Sequence, residues 1–352
     1  MQTSADAFGI LVSQEVALSD GPALLGLCSQ AGLTAELVAH DRHQTPAPEV
    51  LQRIKLALLS VDVLGKSTKS LHEPEMQTFI DTLKAAPHLQ WLQVPSAGMD
   101  RPFYGELYHQ GIRLTSSAGA NAKAVAHTAI AGILALSRCV PLWIEAQREH
   151  RWHPLRGELI PPQLDGQHAV IVGMGSIGQD IGRILKALDL RVTGVRLTPA
   201  PQEYFDQVVG FEAFDSVLPE ADWLVLACPL TKLTNKLLDQ RRLRSMRPNA
   251  RVINVARGEI IDEAAMIAAL REQHIAGAYL DVFVTEPLPE DSPLWDMPQV
   301  MISAHSAGNS TGHQRNVVAQ FKANLLHFLK GEPLHNEWKP REYTCVKKRA
   351  RD

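Results

Sequence analysis

Residues 166–200 read GQHAVIVGMGSIGQDIGRILKALDLRVTGVRLTPA. An apolar run, Ala169 to Val172, ends in Gly173-Met174-Gly175-Ser176-Ile177-Gly178 and passes straight into helical spacing from Ile181 to Leu190. A second apolar segment, Val192 to Val195, completes a strand, helix, strand unit of the dinucleotide-binding type. In that reading Gly173 permits the turn, Gly175 lets the backbone approach a pyrophosphate, and Gly178 lets helix and strand pack closely. The helix N-terminus, at Met174, Ser176 and Ile177, offers unpaired N–H groups and a positive dipole end to phosphates. Such spacing also occurs in ordinary strand-to-helix turns, and it is the position between a strand and a helix that favours a nucleotide. The second strand ends at Arg196, where NAD-binding chains usually carry an acid. Arg196 is either a solvated strand-end arginine or, with Thr198, a partner for a 2′-phosphate.

The chain of 352 residues is long for one core and comfortable for two. Its 35 basic against 38 acidic residues give a net charge of −3, so no bulk attraction to nucleic acid or an anionic membrane is expected. The four cysteines, Cys28, Cys139, Cys228 and Cys345, are scattered without metal-ligand spacing, which predicts no metal site and no disulfide framework. Reduced thiols suit a cytoplasmic protein. Residues 11–15 offer no leader-like pattern, and the apolar stretch Ala124–Leu136 falls short of the ~20 residues that span a bilayer, so no membrane association is expected.

Strands are expected at Phe8–Val12, Leu33–Val38, Leu56–Leu59, Leu89–Val94 and Ile112–Thr115, and helices at Gly21–Ala31 and Glu75–Ala85. Ser60–Pro74 has no clear period and reads as loop, as does Arg101–Tyr108. A long helix is expected from Asn121 to about Arg151, kinked or ended by Pro141, and its apolar face is a candidate subunit interface. Past the glycine loop, strands are expected at Trp223–Ala227, Arg251–Val255, Gly277–Leu280 and Val300–Ser303, and helices at Thr234–Ser245, Asp262–Glu272 and Thr311–Leu329. The basic end, Lys339–Asp352, reads as a tail. This alternation predicts an α/β protein with parallel sheets covered on both faces.

Chemistry-bearing residues follow the expected strands. Val94-Pro95-Ser96-Ala97-Gly98 closes the fourth strand, where α/β sheets place ligands, although a plain turn reads equally well. Later strands end in Cys228-Pro229, in Ala256-Arg257-Gly258, in Asp281 through Glu286-Pro287, and in His305. A parallel sheet gathers these ends on the edge that carries the glycine loop. There Arg257 can hold a carboxylate bidentately, His305 can donate a proton to a carbonyl oxygen as hydride reaches its carbon, and Glu286 can orient the imidazole. Each residue alone is more readily a capping or turn residue; together, beside a nucleotide loop, they suit carbonyl reduction.

Residues from about 90 to 310 resemble the D-isomer-specific 2-hydroxyacid dehydrogenases. The resemblance rests on SAGMD at 96–100, GMGSIG at 173–178, Pro229-Leu230-Thr231 followed by Thr234, NVARG at 254–258, GAYLDVF at 277–283, EPLP at 286–289 and HSAG at 305–308. It implies two Rossmann-like domains: a flavodoxin-like substrate domain from residues 1–118 and 309–352, and an inserted dinucleotide-binding domain at 119–308. It also implies a homodimer joined through the nucleotide domain.

The resemblance assigns catalysis to Arg257, Glu286 and His305, and carboxylate binding to Arg257 with the amides near Ser96, Ala97 and Gly98. It assigns cofactor contacts to the glycine loop, Arg196, Thr198, Cys228, Pro229, Thr234, Ala256 and Asp281. The expected activity is reduction of a 2-ketoacid such as glyoxylate, hydroxypyruvate or a larger one. NADP(H) is expected in preference to NAD(H), which the same loop also accommodates. Where the family usually has Glu, Pro and Gly, this chain has His127, Ala304 and Asp189, none at a catalytic position. The competing expectation is a dinucleotide-sensing binding protein, a corepressor-like dimer with little turnover.

Overall fold

The computed structural model describes residues 7–67 and 71–339. Among them the chain divides into two compact units, one combining 7–121 with 310–339 and the other comprising 122–309.

The first unit holds five parallel strands, β1 (Phe8–Val12), β2 (Ala35–Ala39), β3 (Ile54–Leu58), β4 (Trp91–Gln93) and β5 (Arg113–Thr115), in the order β2-β1-β3-β4-β5. That is the flavodoxin-like order, with its topological switch beside β1. Every residue of β1 is buried, which is why it reads as an unbroken apolar run: a strand covered on both faces has no solvent side to mark by alternation. One cover is the helix His313–Leu329, whose Phe321 and Phe328 stack on Trp91 at ring-centroid distances of 4.8 and 5.6 Å. Asn324 of the same helix is also buried and donates to Gln93 Oε1 at 3.1 Å. The last long helix thus completes a core begun by the first strand.

The second unit holds seven parallel strands: β6 (His168–Val172), β7 (Arg191–Val195), β8 (Gln207–Val209), β9 (Trp223–Leu226), β10 (Arg251–Asn254), β11 (Gly277–Leu280) and β12 (Val300–Ile302). Their order is β12-β11-β10-β9-β6-β7-β8, the dinucleotide-fold order with one further strand, and the switch lies between β6 and β9. Alternate residues feed two cores. Ala169 and Ile171 join Ile130, Ile133 and Trp223 on one face, while Val170 and Val172 join Leu224, Phe214 and Leu270 on the other.

Several sequence expectations are corrected. The helix expected at Gly21–Ala31 begins at Gln14, and Pro22 lies inside it. Val61–Leu64 and Pro102–His109 are helices within segments expected to be loops. The long helix is two, Ala122–Ser137 and Val140–Arg148, bent by 71°. The break comes at Cys139, whose φ is 58°, and Pro141 opens the second helix, where its missing N–H removes no bond. Thr234–Ser245 shrinks to a helix at Gln240–Ser245 capped by Asp239. Strand β8, an edge strand of three residues, had no expected counterpart. No single helix among the described residues is long and apolar enough to cross a membrane. The basic tail beyond Lys339 lies outside the described residues.

Candidate active site

At the switch of the second unit, Gly173 follows β6 with φ of 99°. A Cβ there would sit 2.6 Å from the backbone of Ala227 and Cys228, which follow β9, so both the turn and the close approach require glycine. Gly175 is the N-cap of the helix Ser176–Ala187 and supplies no side-chain hydrogen bond to it. Gly175 and Ser176 are exposed, Ile177 is half-buried, and Gly178 is buried where the helix meets its strand. Space for a Cβ on Gly175 is open, with no atom within 4 Å. Uncapped amides, a positive dipole end and free space above them fit a pyrophosphate. Met174 is buried under the loop.

Arg196 stands one residue past β7, half-buried, and among the described residues its guanidinium has no carboxylate partner. Thr198 is exposed beside it. On the other side of the switch, Cys228 is buried and its thiol is pushed up to about 12 by that burial, so it stays protonated and contributes surface rather than a nucleophile. Pro229 is exposed. The Thr234 hydroxyl donates to Pro229 O at 2.7 Å and accepts from Thr231 N at 2.8 Å. These bonds shape the loop after β9.

The next strand end is clamped by a residue missing from the sequence-based site. Asn254, fully buried at the end of β10, accepts from Ala256 N at 3.1 Å and donates to Arg257 O at 3.0 Å. Arg257 is half-buried, and its Nη1 donates to Ala256 O at 2.7 Å. Gly258 lies so close to Phe283 that a Cβ would meet its carbonyl carbon at 2.0 Å. That approach brings the Arg257 loop against the loop after β11, which carries Glu286.

His305 and Glu286 are paired: His305 Nδ1 lies 2.8 Å from Glu286 Oε2, with side-chain exposures of 44 % and 32 %. Glu286 Oε1 accepts from Phe283 N at 3.1 Å, which fixes the carboxylate. An acceptor-only carboxylate requires the hydrogen on Nδ1, leaving Nε2 to face a substrate. The His305 backbone is left-handed, with φ of 49°, and its N–H donates to Asp281 O at 2.8 Å. Asp281 itself is buried, and its Oδ1 collects Ser303 Oγ, Ser306 N and Ala307 N. The structure therefore gives Asp281 a positioning role that the sequence did not disclose, tying β11 to the loop that holds the imidazole.

Strand pairing orders these parts along one edge. Arg196 lies on the β7 side of the glycine loop, and Arg257, Glu286 and His305 lie on the β10, β11 and β12 side. In the first unit, Ser96, Ala97 and Gly98 follow β4, with Ser96 Oγ donating to Gly98 O at 2.8 Å and Ala97 exposed. No group of metal-ligating side chains occurs among the described residues.

Comparison with known proteins gives the arrangement its context. A model of the D-isomer specific 2-hydroxyacid dehydrogenase NAD binding domain matches residues 130–307. Glyoxylate reductase of Pyrococcus furiosus is 31 % identical over 303 residues, covering 84 % of this chain and 86 % of that protein. The enzyme of the same name from Thermofilum pendens is 34 % identical over 261 residues, covering 72 % and 75 %. Among solved structures, a D-isomer specific 2-hydroxyacid dehydrogenase family protein from Aeromonas salmonicida superposes with a TM-score of 0.73 at 28 % identity, covering 95 % of this chain and 99 % of that one. A D-isomer specific 2-hydroxyacid dehydrogenase from Xanthobacter autotrophicus, in complex with NADPH and MES, gives 0.71 at 27 % identity, with coverage of 96 % and 99 %. With the glycine loop at the switch, Arg257 after β10, and the paired Glu286 and His305 after β11 and β12, these likenesses converge: the chain belongs to the D-isomer-specific 2-hydroxyacid dehydrogenase family, enzymes dependent on NAD or NADP.

Proposed function

We propose that the protein is an NADP(H)-preferring reductase that converts a 2-ketoacid to the D-2-hydroxyacid. The observation that carries the chemistry is the His305–Glu286 pair on the edge that also presents Arg257. Bound nicotinamide dinucleotide supplies the hydride. Arg257 offers a planar fork to the substrate carboxylate and polarises the adjacent carbonyl. Protonated His305 delivers its Nε2 proton to the carbonyl oxygen, and Glu286, bonded to Nδ1, holds the ring and stabilises its positive charge. Oxidation of the hydroxyacid needs the same ring neutral, as a base.

The preference for NADP(H) rests on Arg196, a cation with no carboxylate partner among the described residues, at the strand end where a ribose is read. An acid there would repel a 2′-phosphate. Steady-state assays with NADPH and NADH, using glyoxylate, hydroxypyruvate, phenylpyruvate and branched 2-ketoacids, test both parts. A clear NADPH advantage in kcat/KM is expected; equal or better values with NADH remove the cofactor preference, and no turnover with any ketoacid removes the reductase. The proposal includes a cytoplasmic homodimer, supported by the reduced Cys28, Cys139 and Cys228 and by exposed Leu134, Trp143 and Ile144 on the bent helix pair.

A further inference from the structure

The second unit also has a cavity of about 410 Å³, lined by Leu136, Leu142, Pro248, Ile275, Pro298 and Arg251 among others. Arg251 opens β10, Ile275 precedes β11 and Pro298 precedes β12. All strands of the sheet run the same way, so the cavity lies at the edge opposite Arg257, Glu286 and His305. It is separate from the site just described, and its volume falls within the roughly 300–1,000 Å³ usual for small-molecule pockets.

Arg251 is the unexplained group in it. The guanidinium is half-buried over the Trp223 ring, 5.2 Å from the centroid. Among the described residues the guanidinium makes one hydrogen bond, a long one of 3.3 Å from Nη1 to Asn249 O. No carboxylate among the described residues pairs with it. The nearby Asp222 already accepts from Arg247 Nη1, Asn249 Nδ2 and His168 N. Burial works against the charge of Arg251 and holds its pKa below the ordinary value. A cation drawn from water without a carboxylate partner is costly, and five donors in a planar fork match a carboxylate. Aliphatic and proline side chains supply most of the remaining wall, with Cys139, Gln273 and Gln299 completing it.

We infer that this cavity is a second ligand site, taking a small monocarboxylate with an apolar body whose carboxylate pairs with Arg251 and whose body lies against Leu136, Leu142 and Ile275. It is independent of the reductase reading, since none of its residues belongs to the candidate active site.

Calorimetric titration of the full chain with 4-phenylbutyrate, in excess NADPH, tests the site. Binding of one molecule per chain is expected. Arg251→Gln and the cavity-filling Ala276→Phe should each weaken it at least about tenfold while leaving NADPH affinity unchanged, and Arg257→Gln should leave it in place. The uncharged analogue 4-phenylbutanol should bind the wild-type chain about tenfold more weakly, a comparison that needs no variant to fold. Absence of binding to the wild-type chain overturns the inference. So do equal affinities for acid and alcohol, full binding by Arg251→Gln, or loss only in Arg257→Gln, which would place the probe in the active site. If sedimentation shows a dimer and the probe binds only when the dimer dissociates, the cavity belongs to a second copy of the chain and the inference also fails.

Discussion

Strands β1 and β6 hold the same place beside the switch of their sheets, yet the chain leaves them differently. After β1 a single residue, Ser13, caps the helix Gln14–Gln30. Its backbone is extended, at φ −66° and ψ 164°, and its Oγ accepts from Val16 N. After β6 the cap is Gly175, equally extended at φ −76° and ψ −168°, with no side chain to accept anything. Ser13 is 2 % exposed and its junction is sealed, whereas Gly175 is open to solvent. The two helices have the same dipole and the same orphan amides. What suits one junction to an anion is that its cap is left unfilled, which is a matter of one side chain and not of topology.

The largest effect should come from the groups that only the second sheet presents openly. His305→Gln is expected to lower kcat for ketoacid reduction by about 10²–10⁴, the usual span for a general acid. His40, which follows β2 in the first sheet, is buried and bonds the Glu75 carbonyl, so His40→Asn should leave kcat within about twofold while lowering stability. Comparable losses of kcat in both variants would break the contrast between open and sealed strand ends.

Next in size is Gly175→Asp, which gives the second junction the self-supplied cap of the first. The extended backbone and empty space accept the side chain, so thermal stability should hold or rise. NADPH affinity, followed by fluorescence titration, should fall roughly 100-fold because a carboxylate takes the phosphate's place and repels it. An unchanged Kd would mean that the helix N-terminus does not hold the cofactor.

Ser13→Ala should be milder, with a loss of about 1 kcal/mol in denaturant unfolding and no change in Kd for NADPH. Of similar size is a pH dependence shared by both units. Burial holds the imidazoles of His40, His168 and His313 below their ordinary value, so each takes up a proton less readily in the fold than in the unfolded chain. As pH falls below about 6.5 the unfolded chain takes up protons first, and stability should decline, by about 2–5 °C in Tm between pH 7 and 5.5. A flat or rising Tm over that range would show that these rings are free to charge in the fold.

The glycine loop and the strand ends were legible because their signals are local: a turn, a following helical period, and polar residues directly after apolar runs. Residues whose meaning depends on a partner far along the chain were not. Asn254 and Asp281 each brace a loop, and only the paired strands show which loop. Thr234 was assigned to the cofactor from its motif, while its hydroxyl is engaged within its own turn. The helix from Gln14 was missed in its first turns because Gly21 and Pro22 interrupt the pattern, although Ser13 stood in capping position. Edge strand β8 is too short for any period to register. The break at Cys139 was misplaced at Pro141, since a proline is as much at home opening a helix as ending one.

The stacking of Phe321 and Phe328 on Trp91 has a consequence for the order of synthesis. Among the described residues the second unit is one stretch, 122–309, so all of that stretch has left the ribosome before the helix His313–Leu329 emerges. The first unit waits: 192 residues separate Asn121 from His313, 313 − 121, a delay of roughly 10–40 s at ordinary translation rates. During that interval Trp91 lacks its aromatic cover while the nucleotide fold can already close. A nascent chain halted before residue 313 should therefore bind NADPH with its first strands still unfinished.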